Sequence, residues 1–396
     1  MRKEQLEVAR RLVRDLPNSF DAMGLLGMVH NALGDYTQAA ECWEKCLELD
    51  PRRADAYDSL ATVAWRKGES EKAVALWRKA LEVDPGAANV YEHFAGALLG
   101  QGRIDEVIAV LQKQIVLLPN APSAHFMLGQ AYLQSREYEK AKEQYLAAIA
   151  ISPDVPPVYY GLSTACARLG QKEEARKYRE KFKELKAEFW RSDAATRGRP
   201  IDPDYASTCK SVAKTCSDAA GIYQTRGYLW RAERLWRRAA TLDADDTASR
   251  EALVALYQHS GRNRESLQWC QQLRELDPDN ASYWMSMGLL HVLLAQFEDA
   301  EQVFKRVVEL APEKSSGYQA LALLYLKTGE KLPEARNHAS RAVELEPSAS
   351  NYATLSEACE RTGDFAGALS AMEHAVELDG TNAKYTQQYE LLQKRK

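Results

Sequence analysis

The chain has 396 residues, of which 45% are hydrophobic and 27% are charged, and its formal net charge is −4. This much apolar material excludes a disordered or collagen-like chain, and the small net charge gives no overall attraction to nucleic acid or to an anionic membrane. The N-terminal residues lack the apolar core of a secretory signal peptide, and no stretch approaches the roughly 18 apolar residues of a membrane span.

The first predicted element is a helix from Leu6 to Leu16, which ends before Pro17. It has the character of the second helix of a two-helix repeat whose first helix is missing. We therefore expect that the natural chain begins upstream, where any leader would lie. A cytoplasmic location is favoured, because the seven cysteines have the irregular spacing of buried thiols in a reducing compartment.

Prolines and glycines then recur at intervals of 34 residues or multiples of it. The residues of the first block are Pro51, Pro85, Pro119, Pro153, Gly34, Gly68, Gly102 and Gly170. After an interruption the same period resumes with Gly227, Gly261, Gly329 and Gly363. Such a period is the signature of a solenoid built from helix-turn-helix repeats.

Residues 54–87 illustrate one repeat. Apolar side chains at helical spacing predict a first helix through Tyr57, Leu60, Ala61 and Ala64, and a second through Ala73, Leu76, Trp77 and Ala80. Gly68 supplies the turn between them, and Pro85 ends the second helix. Each repeat is therefore expected to be a pair of packed helices.

Counted from its first residue, the repeat has an aromatic residue at position 4, Leu at 7, Gly or Ala at 8, Tyr at 11, Ala at 20 and 27, an aromatic residue at 24 and Pro at 32. This pattern resembles the tetratricopeptide repeat. The resemblance covers ten repeats at 20–53, 54–87, 88–121, 122–155, 156–190, 213–246, 247–280, 281–314, 315–348 and 349–382. It implies an all-α, right-handed superhelical solenoid of about ten helix-turn-helix units, and the residues after Asn382 are expected to form a capping helix.

A few residues depart from the pattern. Arg136 replaces the turn glycine in repeat 4, and Ala295 replaces it in repeat 8. Repeat 9 carries an extra residue near Leu332, which should bulge its turn. None of these departures breaks the period.

The period slips between Gly170 and Gly227, which are 57 residues apart. We therefore predict an N-terminal array at 1–190, a linker or hinge at 191–203 and a C-terminal array at 204–396. Helix 2 of repeat 5 is expected to end at Trp190, and the next helix to begin with Asp202 as N-cap and Pro203 at its first position.

The sequence contains no complete catalytic motif. Two SxxK strings, at Ser207 and Ser211, and a KTG string at Lys327 lack the third motif of penicillin-recognising enzymes, and the KTG string falls in a repeat turn rather than on a strand. There is no Walker loop, GxGxxG or HExxH motif, and the histidines are scattered. We predict that the chain is not an enzyme and has no cofactor and no metal ion.

The resemblance implies that positions 2, 5, 6, 9, 12 and 13 of the first helix line a concave groove that binds a protein or peptide. In the first three repeats these positions give an acidic floor of Asp21, Asp55, Asp58 and Glu92. Repeat 4 contributes Phe126 and Met127, and repeats 8 and 9 contribute an apolar stripe of Met285, Leu289, Leu293, Leu323 and Leu326. The alternative is that tight superhelical closure buries these side chains.

The predicted function is a non-catalytic scaffold that binds a peptide or helical segment in this groove. The alternative is the substrate-docking or regulatory portion of a larger enzyme, for example a glycosyltransferase-like protein, whose other domain lies outside this chain. A third hypothesis, RNA binding by the arginine-rich second helix of repeat 6, is not favoured, because those arginines fall on solvated positions. The partner's identity and the oligomeric state are left open by the sequence.

Overall fold

The computed structural model describes residues 1–196 and 203–395, and over these residues it contains 22 α-helices and no β-strand. The predicted all-α repeat fold is confirmed. None of the helices described is both long and apolar enough to span a membrane.

The chain forms two compact bodies, Met1–Ile222 and Tyr223–Lys396, which we call the N-terminal body and the C-terminal body. The helices that begin in the N-terminal body are α1 Arg2–Asp15, α2 Phe20–Leu33, α3 Tyr36–Leu49, α4 Ala54–Arg66, α5 Ser70–Val83, α6 Ala88–Gly100, α7 Ile104–Leu117, α8 Pro122–Gln134, α9 Tyr138–Ile151, α10 Pro156–Arg168, α11 Lys172–Thr196 and α12 Pro203–Thr225. Those of the C-terminal body are α13 Leu229–Leu242, α14 Thr247–His259, α15 Asn263–Leu276, α16 Ala281–Leu293, α17 Phe297–Leu310, α18 Ser315–Thr328, α19 Leu332–Leu345, α20 Ala349–Arg361, α21 Phe365–Leu378 and α22 Ala383–Gln393.

Within each body the helices pack in sequence order. The two helices of one repeat pack against each other, and the second helix also packs against the first helix of the next repeat, as α3 does with α4 and α19 does with α20. The last helix, α22, packs against α21 and buries Leu392, which agrees with the predicted capping helix. Each repeat is thus stabilised by the packing of its own two helices and by its contacts with the adjacent repeats.

The turn inside each repeat requires one residue in the left-handed region. Eight turn glycines have φ between 69° and 84°, where a side chain would be strained. Arg136 and Ala295 occupy the same site with φ of 64° and 57°. The two sequence departures therefore keep the turn geometry at a cost in backbone strain.

The extra residue of repeat 9 does bulge its turn, as predicted. Lys331, between α18 and α19, has φ of 51°. The bulge lets Lys331 reach Glu301 on α17, and the Nζ atom of Lys331 lies 2.6 Å from Oε1 of Glu301. The insertion thereby adds a contact to the preceding repeat.

The second helix of repeat 5 is longer than predicted. α11 runs to Thr196, six residues beyond Trp190, since the sequence RSDAAT that follows contains neither glycine nor proline to end a helix. The next helix begins at Pro203 as predicted, and the proposed N-cap Asp202 lies outside the described residues. The division into arrays at 1–190 and 204–396 stays a prediction.

Candidate functional site

The N-terminal body contains an apolar cavity of about 680 Å³, bounded by the first helices of repeats 3 to 5 and the second helices of repeats 4 and 5. Its wall includes Leu99 of α6, Phe126 and Leu133 of α8, Tyr145 of α9, Tyr160 of α10 and Phe182 of α11. None of the residues that line it carries a charge, and its polar side-chain groups include the amides of Gln130 and Gln134. We call this cavity the apolar groove.

Glycines create the space for the aromatic side chains of the apolar groove. A Cβ atom at Gly161 or at Gly129 would overlap the ring of Tyr145, which is fully buried between the helices. Tyr145 in turn supports Phe126, with ring centroids 6.1 Å apart. The position of Phe126 at the wall is therefore set by the close approach of neighbouring helices.

Two aromatic residues of the apolar groove were not predicted from the sequence. Tyr160 is 61% exposed, and the centroid of its ring lies 5.6 Å from the ring centroid of Phe182. Tyr160 stands at position 5 of repeat 5, the same position as Phe126 in repeat 4, so the repeat register could have identified it. Phe182 lies on α11, a second helix, and only the packed structure brings it to the groove.

Phe126 and Met127 are both partly buried against the core of the N-terminal body. Phe126 lines the apolar groove, whereas Met127 is not among its lining residues. A binding role for these two residues stays a prediction.

Asp58 does not lie exposed on the acidic floor that the sequence predicts. This residue is only 6% exposed, and its Oδ1 accepts a hydrogen bond of 2.8 Å from Trp77 Nε1. Oδ2 accepts another of 3.2 Å from Asn89 Nδ2, and His93 Nδ1 lies 2.9 Å from Oδ1. Asp58 is thus a buried structural carboxylate, because the large indole of repeat 2 turns its N–H towards this position.

The three other acidic residues are exposed. Asp55 forms an ion pair of 2.7 Å with Arg53, and Glu92 accepts a hydrogen bond from Ser123. Asp21 lies at the solvent-exposed start of α2. Their proposed contact with a partner stays a prediction.

The apolar stripe of the C-terminal body is partly exposed. Leu289, Leu293 and Leu323 are 51%, 64% and 45% exposed, whereas Leu326 is only 2% exposed and belongs to a core cluster. Met285 is partly buried against the same cluster. The inclusion of Leu326 in an exposed stripe was wrong, because the cluster continues into α20 of the following repeat through Ala358.

The described residues contain no group of three or more His, Cys, Asp or Glu side chains that could hold a metal ion. The seven cysteines are all buried, and no disulfide joins any two of them. Burial raises the pKa of the Cys270 thiol to about 12 and that of Cys46 to about 12. These two thiols are therefore neutral packing groups at ordinary pH.

Several solved structures are similar to this chain. A crystal structure of MamA is 25% identical, covers 42% of this chain and 97% of its own, and has a TM-score of 0.39. A structure of YrrB, described as a TPR protein with an unusual peptide-binding site, is 17% identical, covers 48% and 98%, and has a TM-score of 0.38. Yeast Tom70 is 14% identical, covers 94% of each chain, and has a TM-score of 0.38.

No curated protein sequence matches this chain. Family models described as tetratricopeptide repeat match residues 18–86, 59–122, 122–155, 156–189, 281–314 and 349–382. Together these ranges span more than half of the 396 residues.

Proposed function

Because this chain belongs to the tetratricopeptide-repeat family, whose stacked repeats form extended binding surfaces, we propose that it is a non-catalytic scaffold for protein–protein interaction. We place the binding site for an uncharged, apolar partner segment in the apolar groove. The observation that carries this proposal is the exposed Tyr160 ring in a cavity without a charged wall.

The lining of the apolar groove supports a peptide as the ligand. Large apolar pockets with a few polar groups are the usual form of a binding site, and an exposed tyrosine ring gives much contact area for little loss of conformational freedom. The side-chain amides of Gln130 and Gln134 can each donate and accept hydrogen bonds with a peptide backbone. A charged ligand side chain would lose part of its hydration there without gaining a partner of opposite charge.

The exposed leucines of the C-terminal body support a second contact surface. Leu289 and Leu323 occupy position 9 of consecutive repeats, and both are exposed. Contiguous exposed apolar residues usually mark an interaction surface. We include Leu289, Leu293 and Leu323 in the proposed scaffold as a site separate from the apolar groove. A cytoplasmic location for the protein stays a prediction, motivated by seven cysteines that form no disulfide with one another.

A random-peptide phage library selected on the full-length chain tests the apolar groove. We expect the enriched peptides to carry aromatic or aliphatic anchors without charges, and to lose most of their binding to Tyr160→Asp. Tyr205→Asp is a matched control, because Tyr205 is 57% exposed and lies on α12, outside the groove. Equal binding to the wild type and to Tyr160→Asp would reject the groove as the site.

The variant Leu289→Asp/Leu323→Asp separates the two surfaces. If the apolar groove is the site, peptides from the same selection should bind this variant as they bind the wild type. Loss of binding here, with retention in Tyr160→Asp, would move the site to the C-terminal body. Unfolding of this double variant would show that the two leucines are structural, since surface substitutions seldom cost much stability.

A further inference from the structure

Aromatic rings of the apolar groove recur at the same position of consecutive repeats. Phe126 of α8 and Tyr160 of α10 both occupy position 5, the first in repeat 4 and the second in repeat 5. The two helices are in contact, and the axes of packed helices lie about 8–10 Å apart. A partner segment that crosses both helices therefore meets an aromatic ring at intervals of about this length.

This interval matches one turn of a polyproline II helix. That conformation has three residues per turn and rises about 9 Å over them. A β-strand returns to the same face at every second residue, after about 7 Å, and its third residue points to the opposite face. A polyproline II segment can therefore place residue i on Phe126 and residue i+3 on Tyr160, whereas a strand turns one of these side chains away.

The rings of the apolar groove are arranged to receive a flat apolar group. The ring planes of Phe126 and Tyr145 are inclined by 48°, and those of Tyr160 and Phe182 by 52°. Because Tyr160 is not stacked face to face on Phe182 and is 61% exposed, much of its ring is open to a ligand. The ring of a proline side chain is compact and apolar, and its burial costs no rotamer freedom. Aromatic-lined grooves are a general means of docking proline-rich segments.

The polar groups of the apolar groove complement the backbone of such a segment. A polyproline II helix has no internal hydrogen bonds, so its carbonyl groups need donors from the binding site. Gln130 and Gln134 follow Phe126 at intervals of four residues, on the same face of α8, and each side-chain amide offers two N–H donors. An α-helical ligand satisfies its own carbonyl groups and would leave these donors unused. The uncharged wall of the groove matches a ligand without charged side chains.

We propose that the partner of the apolar groove is an uncharged, proline-containing segment in the polyproline II conformation, with prolines at residues i and i+3; this inference rests on the proposed function of the groove. Proline i packs against Phe126, and proline i+3 packs against Tyr160. The amides of Gln130 and Gln134 donate hydrogen bonds to carbonyl groups of the bound segment. The groove thus selects its ligand by the spacing of the prolines.

Fluorescence anisotropy of labelled decapeptides with the full-length chain tests this spacing. The probe PAAPAAPAAP carries a proline at every third residue. Its matched control PAPAPAPAAA has the same composition, but no two of its prolines are three residues apart. We expect the probe to bind at least about fivefold more tightly, because the control can place a proline on only one of the two rings. Equal binding of the two peptides, or no binding of the probe, would overturn the proposal.

A third peptide, LAALAALAAL, separates the proposal from the function of the groove itself. It keeps the spacing and the apolar character of the probe but replaces each proline. We expect it to bind more weakly, since ordering its backbone and its leucine side chains costs conformational entropy that proline does not lose. If it binds as tightly as the probe and loses its binding to Tyr160→Asp, the groove remains a binding site and the polyproline II proposal is rejected.

Gln134→Glu tests the donor amides. The substitution keeps the shape of the side chain and removes both N–H donors, and the fold should tolerate it because Gln134 is exposed. Binding of the probe should weaken at least about fivefold. Gln38→Glu is the matched control, because it adds the same charge at an exposed position of α3 outside the groove, and it should bind the probe as the wild type does. Binding of the probe to Gln134→Glu as tight as to Gln38→Glu would reject the assigned donors and, with them, the proposal.

Discussion

Asp58 and His93 join two consecutive repeats through a contact of 2.9 Å between Oδ1 and Nδ1. Asp58 belongs to α4 and His93 to α6, and the same carboxylate also holds the indole N–H of Trp77 on α5. Three helices therefore share one buried acceptor. The carboxylate of Asp58 therefore helps to hold repeats 2 and 3 together.

Replacing Asp58 with alanine should destabilise repeats 2 and 3. The indole N–H of Trp77, which is 2% exposed, would lose its acceptor, and an unsatisfied buried donor costs about 1–3 kcal/mol. Hydrogen exchange of α4–α6 measures the local loss. Asp55→Ala is the control, because its ion pair with Arg53 is exposed and should contribute less than about 1 kcal/mol. Equal effects of the two substitutions would contradict the assigned role of Asp58.

The contact with Asp58 should also make the stability depend on pH. The hydrogen bond to Asp58 raises the pKa of His93 above its ordinary value. A raised pKa in the folded state gives stabilisation that is complete below about pH 6.5 and is lost as the pH rises through the raised value. Because His93 is half exposed, we expect less than about 1 kcal/mol.

Urea unfolding of the wild type and of His93→Gln at pH 6 and pH 9 measures this contribution. The stability difference between the two proteins should be larger at pH 6. A difference that is constant with pH, or that grows towards pH 9, would be inconsistent with a stabilising imidazolium at this site.

The 34-residue period predicted most of the fold because every repeat obeys the same local rules. Gly68 and its equivalents specify the turn, and Ala73 and Trp77 specify the packed face. The contact of Gln5 with Thr215 could not be predicted, since it joins helices more than 200 residues apart and depends on how the N-terminal body closes. The position of a residue in the repeat likewise predicted the exposure of Leu289 but not the burial of Leu326, which depends on the next repeat.

Ala295→Gly should stabilise repeat 8. Ala295 has φ of 57°, and a left-handed conformation costs a residue with a Cβ atom roughly 1–2 kcal/mol. Part of the gain is offset by the greater freedom of glycine in the unfolded chain, so we expect a net stabilisation of about 0.5–1 kcal/mol. The control is Ala75→Gly in the interior of α5, where the same change should destabilise by about 0.5–1 kcal/mol. Thermal unfolding compares the two variants, and effects of the same sign would contradict the argument from φ.

Glu301 should make the C-terminal body sensitive to acid. Burial alone would raise the pKa of Glu301, but hydrogen bonds from Lys305, Lys331 and Tyr325 outweigh it and lower the pKa to about 2. A lowered pKa in the folded state gives stabilisation that is present above the unfolded value of about 4.3 and is lost as the pH falls through about 2. The stability conferred by Glu301 should therefore decline between about pH 4.3 and pH 2.

Glu301→Gln isolates this contribution. At pH 6 the variant should be less stable than the wild type by about 1 kcal/mol, because solvent screens the two lysines, and the difference should shrink as the pH approaches 2. Glu298→Gln is the control, since Glu298 is an exposed residue at the start of the same helix. Urea unfolding at pH 6, 4 and 2.5 gives the three differences. If the wild type and Glu301→Gln lose stability in parallel over this range, the carboxylate does not act through its pKa, and the bulged turn that brings Lys331 to it contributes nothing electrostatic.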